Sequence, residues 1–195
     1  MINPQRLLKS RRVFAPVLLI AAVALAGCSS SGSGTAAPSW AKALGAGVTV
    51  DPPQAESPGH SQPGQAIMGE LADIKAKNLV AACSYLDPKT LATCKSQSSQ
   101  IPASDDSQLP YFSNAALGYV VIDGAEALVG TTGTFCSPND TPKCFTNTKA
   151  AAIFSAGDKT FSQLWGESVA NDSNNTYSLA PLVLVNGRWY VEGSG

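Results

Sequence analysis

Leu182-Val183-Leu184-Val185-Asn186-Gly187-Arg188-Trp189-Tyr190-Val191 decides the architecture. Two four-residue runs favouring extended backbone flank Asn-Gly, the pair that most readily takes the two left-handed positions of a tight hairpin turn. The same grammar stands further upstream. Tyr119-Val120-Val121-Ile122 leads into Asp123-Gly124, and Ala125 to Val129 leads out. Between these hairpins, Ala150 to Ser155, ending at Gly157-Asp158, and Phe161 to Val169 are expected to add strands. The total is about five or six.

Working back from the hairpins, Gln65 to Leu86 changes period. Ile67, Leu71, Ile74, Ala81, Ala82 and Tyr85 fall near one face of a helix. Asn78 interrupts that stripe and marks the boundary between two helices, in the left-handed position that often ends the first. Asp87-Pro88 reads as an N-cap followed by the first residue of a third, short helix reaching about Lys95. A polar loop, Ser96 to Pro110, then leads to the strands. Helices first and an antiparallel meander afterwards is an α+β pattern. Residues 65–195 are long enough for a single α+β domain with one core.

Residues 28–64 are rich in Ser, Gly and Pro and read as a flexible tether. Within it, Trp40 to Gly45 and Val48-Thr49-Val50 suggest a docked segment over 40–50, a short turn and an edge strand. Ahead of the tether stand Arg6, Lys9, Arg11 and Arg12 without an acid, then an apolar run from Val13 to Gly27. That run is shorter than the about 20 residues a bilayer demands. A basic start, a short apolar stretch and small residues at its end mark an export signal. Leu25-Ala26-Gly27-Cys28 resembles the lipobox of bacterial lipoproteins. The resemblance implies that residues 1–27 are a signal peptide and that Cys28 carries the lipid. It places the protein, anchored, on the outer face of the cytoplasmic membrane. Buried acyl chains contribute about 0.8 kcal/mol per methylene, so two of them hold firmly. Ser10-Arg11-Arg12-Val13-Phe14 resembles a twin-arginine signal, and the general and twin-arginine routes end at the same membrane face.

The first 27 residues hold four of the 13 basic residues and none of the 14 acidic ones, so the remainder has nine against 14, a formal charge of −5. A chain of that balance without a Lys/Arg cluster has no footprint for nucleic acid. Beyond Cys28 four cysteines remain: Cys83, Cys94, Cys136 and Cys144. An even number in an exported chain points to two disulfides. Of three possible pairings, the local one, Cys83–Cys94 with Cys136–Cys144, joins cysteines close in sequence. Zinc would want tight Cys-x-x-Cys pairs, which these spacings do not provide.

The order of elements and the ending Leu179-Ala180-Pro181-Leu182 through Val191 resemble the nuclear transport factor 2-like superfamily, above all its actinobacterial lipoproteins. Ala81-Ala82-Cys83-Ser84-Tyr85-Leu86-Asp87-Pro88 is similar to a helix end in the same group. The resemblance covers residues from about 65 onward. It implies N-terminal helices packed on a strongly curved antiparallel sheet, a cone with an apolar cavity. Members include isomerases, dehydratases and non-catalytic modules, so the fold alone does not choose among them.

The chemistry-bearing residues are sparse. The single histidine, His60, sits in the linker and reads as a solvated residue; nucleophilic triads need a histidine inside the fold. Oxidised cysteines leave no transition-metal site, and no glycine-rich phosphate cradle is present. Isomerase chemistry would use cavity-facing Asp and Tyr with tuned proton affinities. The candidate carboxylates are Asp73, Asp123, Glu126 and Glu167. Asp73 reads as a solvated helix residue, Asp123 as a turn residue, and the two glutamates as pointing outward from strands. Tyr119, Trp165 and Trp189 are the candidate pocket aromatics, although strand aromatics are usually core. Two classes of function follow. The leading one is a non-catalytic, cofactor-free envelope module that binds a small apolar ligand or an envelope protein. The other is a small cofactor-free isomerase or dehydratase.

Overall fold

The computed structural model describes residues 37–102, 111–136, 144–147, 154, 158–170 and 179–192. They form α1 (Ala41–Leu44), β1 (Thr49–Asp51), α2 (Pro63–Lys75), α3 (Leu79–Ala82), a 3₁₀ turn (Cys83–Tyr85), α4 (Leu91–Ser98), β2 (Tyr111–Asp123), β3 (Glu126–Cys136), β4 (Cys144–Asn147), α5 (Phe161–Ala170), β5 (Leu179–Val185) and β6 (Arg188–Val191). Asn186 and Gly187 both adopt left-handed backbone, φ 52° and 75°, and close the β5–β6 hairpin with Val185 opposite Arg188. The first hairpin turns one residue later than Asp-Gly suggests. Asp123 pairs with Glu126, and Gly124 (φ 60°) with Ala125 makes the turn.

The six strands are all antiparallel, in the order β1-β2-β3-β5-β6 with β4 also on β3. β3 is the spine. β2 lines one edge, while the other is shared by β5 along Glu126–Gly130 and β4 along Gly133–Cys136. At Gly133 (φ 131°) a Cβ would lie 2.9–3.0 Å from the backbone of Ser113, Asn114 and Ala115, so only glycine fits. Opposite it β2 carries an extra residue between Ser113 and Ala116, and another between Leu117 and Val120. Such bulges bend a strand locally.

Alternation sends neighbouring residues to opposite faces. Val120, Ala127, Val129, Leu182, Trp189 and Val191 pack against Ala66, Ile67 and Leu71 of α2. Val121, Leu128 and Leu179 pack against Leu44 of α1, Phe154, and Phe161 and Leu164 of α5. The strands read as unbroken apolar runs because both sides are buried. The sheet is not strongly curled, which corrects the expectation of a strongly curved one. Apolar residues cover each face from outside, so neither has to close on itself.

Other expectations change with it. Phe161–Ala170 is a helix, not a strand. Thr160 and Gln163 form a reciprocal cap: Thr160 N–H donates to Gln163 Oε1 at 2.9 Å and Gln163 N–H to Thr160 Oγ1 at 3.4 Å. The stripe Phe161, Leu164, Trp165 has helical spacing. Of Ala150–Ser155 only Phe154 lies within the described residues; it is helical and buried. Asn78 does mark a helix boundary, but Lys77 takes the left-handed position (φ 59°) and Asn78 Oδ1 caps α3 by accepting from Ala81 N–H at 3.2 Å. Asp87 forms a turn, its Oδ1 accepting from Lys89 N–H at 2.9 Å, and α4 begins four residues later. Both local disulfides, Cys83–Cys94 and Cys136–Cys144, are formed.

Described residues ahead of Gln65 also pack onto the sheet. β1 pairs with β2, Val50 opposite Val121, and Leu44 enters the core. The Pro-rich stretch after it is pinned as well. Gly59 N–H donates to Gln65 O at 3.2 Å, and Trp189 N–H to His60 O at 2.9 Å.

Candidate functional site

Where β2 bulges, the bared backbone and small side chains of Ala115 and Ala116 leave a depression beside α2. Leu117 and Met68 complete its apolar floor, and Pro53 to Glu56 form a wall, enclosing an open groove of about 370 Å³. That volume suits a small ligand. Its one acidic lining residue, Glu56, is drawn inward by the start of α2. A Cβ at Gly64 would meet Glu56 Oε1 and Leu117 Cδ1, each at 2.7 Å, so the bare glycine admits the carboxyl. The first N–H groups of a helix lack internal partners and attract anions. Here Gln65 N–H donates to the Glu56 carboxyl, and Gln54 Nε2 donates to Oε1 at 3.4 Å.

Glu56 Oε2, by contrast, is buried without a hydrogen-bond partner among the described residues. Burial penalises the charged form and raises the Glu56 pKa. The hydrogen bonds from Gln54 and Gln65 oppose that, and the nearby Asp51 charge adds to it. The net direction is upward, so Glu56 holds its proton to higher pH than an ordinary glutamate.

A second cluster forms on the outer edge of β6. His60 Nδ1 lies 2.8 Å from Trp189 O; a carbonyl only accepts, so Nδ1 bears a proton and donates it. The ring lies against Tyr85 and Tyr190, each with centroids 4.9 Å away, and Arg188 stands 6.0 Å over Tyr190. Gly69 of α2 makes room, since a Cβ there would overlap the Tyr85 ring. His60 is therefore not a solvated linker residue: it is half-buried and covers the exposed edge of a terminal strand.

A third cluster joins the turn before α4 to the end of β6. Asp87 is 2 % exposed, and its N–H donates to Val191 O at 2.9 Å. Lys89 Nζ approaches Asp87 Oδ2 at 3.3 Å, yet Oδ2 has no hydrogen bond among the described residues. The Glu192 carboxyl lies against Asp87.

The residues singled out from the sequence do not converge. Trp189 is buried in the core facing α2, while Tyr119 and Trp165 flank the opposite core. Tyr119 meets Trp40 edge-on at 5.1 Å. None of the three borders the groove. Asp123 and Glu126 are exposed in the first hairpin, Asp73 is half-buried on α2, and Glu167 pairs with Lys159 at 2.6 Å on the surface of α5. Cys28 lies outside the described residues. Among the described residues no three His, Cys, Asp or Glu side chains are placed to hold a metal ion. Glu56 and Glu192 went unread for a reason. Glu56 sits in linker-like sequence and is made significant only by the start of α2; Glu192, one residue past β6, has no companion nearby in the sequence.

Compared with protein-family profiles, curated proteins and solved structures, the chain matches none.

Proposed function

We propose that this protein is a lipid-anchored module on the outer face of the cytoplasmic membrane that binds a small, uncharged, apolar ligand without turning it over. The anchor rests on the lipobox-like Leu25–Cys28. Two formed disulfides suit an oxidising compartment, and no helix among the described residues is long and apolar enough to cross a membrane. The nuclear transport factor 2-like relationship stays within this proposal, supported by helices preceding the hairpins, in a version flatter than a cone.

The observation that carries the binding reading is the groove, with its floor of Met68, Ala115, Ala116 and Leu117 and a glutamate held toward its neutral form. An apolar floor favours an uncharged ligand, because charge set against it would lose hydration without a partner. The sign with pH follows. As pH rises through the folded-state titration of Glu56, the wall becomes anionic and affinity falls.

Thermal-shift and fluorescence titrations of the mature protein with ten- to fourteen-carbon alcohols provide the test. Saturable binding should weaken with rising pH, lose that dependence in Glu56→Gln, and vanish in Ala116→Trp, which fills the groove. No saturable binding at any pH would reject the reading and leave an envelope protein as the partner. Turnover of an enolisable ketone abolished by Glu56→Gln would establish an enzyme instead.

A further inference from the structure

The Asp87 cluster plays no part in the groove. Its buried Oδ2 requires an explanation, since leaving a buried acceptor unsatisfied is costly, and more so when it is charged. Lys89 does not supply one. Its ammonium is 3.3 Å away without hydrogen-bond geometry, and its side chain is 82 % exposed, so water screens the pair. A metal ion does not fit, because no three-ligand set assembles among the described residues. The remaining neighbour is Glu192, directly after Val191, whose carbonyl accepts from Asp87 N–H. Two carboxylates side by side repel, and both are acceptors only. One proton removes both difficulties, because a protonated Glu192 offers an O–H to Asp87 Oδ2.

We propose that protonated Glu192 donates its O–H to Asp87 and forms a clasp that fastens the turn ahead of α4 to the end of β6 in acid and loosens as pH rises. The charged groups around it agree. Burial raises the Glu192 pKa most, the Asp87 charge and hydrogen bond add to that, the Glu126 charge on β3 adds a little, and Lys89 opposes. The folded chain thus binds this proton more tightly than the unfolded chain. The stabilisation is complete below the ordinary glutamate range and is lost as pH rises through the folded-state titration of Glu192.

The clasp matters because α4 has few other anchors. None of its residues is buried. It is held by the Cys83–Cys94 disulfide on one side and by the Asp87 turn on the other, where Thr90 N–H donates to Asp87 O at 2.9 Å. Opening the clasp frees the turn while the disulfide keeps α4 attached, so the device sets how firmly α4 docks.

Amide hydrogen exchange of the mature protein, corrected for intrinsic rates, tests this from about pH 3, below the ordinary glutamate range, to pH 8. Protection of the Asp87 and Thr90 amides should fall about tenfold for each unit by which the Glu192 proton is held more tightly. The Leu128 amide, deep in the sheet, should not follow. Glu192→Gln keeps a donor at every pH and should flatten the profile at the higher, acid-like protection. Asp87→Asn should return the carboxyl titration of Glu192, followed by carbon NMR, toward that of a free glutamate. A wild-type profile that is flat, or that Glu192→Gln leaves unchanged, overturns the clasp; so does a Glu192 titration unmoved by Asp87→Asn.

Discussion

The two faces of the sheet are covered in different ways. One receives α2, thirteen residues that carry a regular apolar stripe on a single element. The other is covered piecemeal by the four-residue α1 and, more than a hundred residues further along the chain, by Phe154 and α5. Burial is as complete on the second face: Leu128 and Val121 are as inaccessible as Leu182 and Ala127. The difference is in the route, not in the depth. One continuous helix covers a face in a single docking step, whereas scattered pieces must each dock, each with its own loop-closure cost.

The sharpest way to break this comparison is to remove one large aromatic from each face. Phe161→Ala and Trp189→Ala should each destabilise the domain by about 3–5 kcal/mol in denaturant unfolding, since both side chains are almost wholly buried. A Phe161 effect under about 1 kcal/mol would mean that the second face is only loosely covered. Leu44→Ala asks the same of the N-terminal segment. As a core residue it should cost about 2–5 kcal/mol, against about 0.5 kcal/mol or less for a side chain on a free tether.

The disulfides sharpen the comparison at its margins. Both close loops shorter than the 15 residues for which chain entropy yields about 3 kcal/mol, so removing either pair should cost somewhat less. Their local effects should differ. Without Cys136–Cys144, β4 keeps its pairing with β3, whereas without Cys83–Cys94, α4 keeps little beyond the Asp87 turn. Hydrogen exchange should therefore show α4 amides losing protection far more than β4 amides; equal losses would put the disulfide's role elsewhere.

How far each region was legible follows the same division. The hairpins at Gly124 and Gly187, the α2 stripe, the boundary at Asn78 and both disulfides were all readable, because each rests on residues within about a dozen positions of one another. The helix at Phe161–Ala170 was also written locally, in Thr160 and Gln163, but its apolar content and its place between hairpins favoured a strand. Glu56 and Glu192 were silent. A glutamate changes character only when burial and another charge reach it, and both come from elsewhere in the chain.

By itself, then, the amino-acid order determined the α+β class, the antiparallel pairing, the cysteine partners and the export-like N-terminus. Periodicity, turn chemistry and short loop closure are local and survive without knowledge of the fold. Tertiary structure alone decided how the Pro-rich stretch after β1 is pinned, that both faces of the sheet are buried, that His60 covers the edge of β6, and that Glu56 reaches the start of α2 and Asp87 the end of β6. Those outcomes depend on which distant surfaces dock, and the proton affinity of a carboxyl is set by what finally surrounds it.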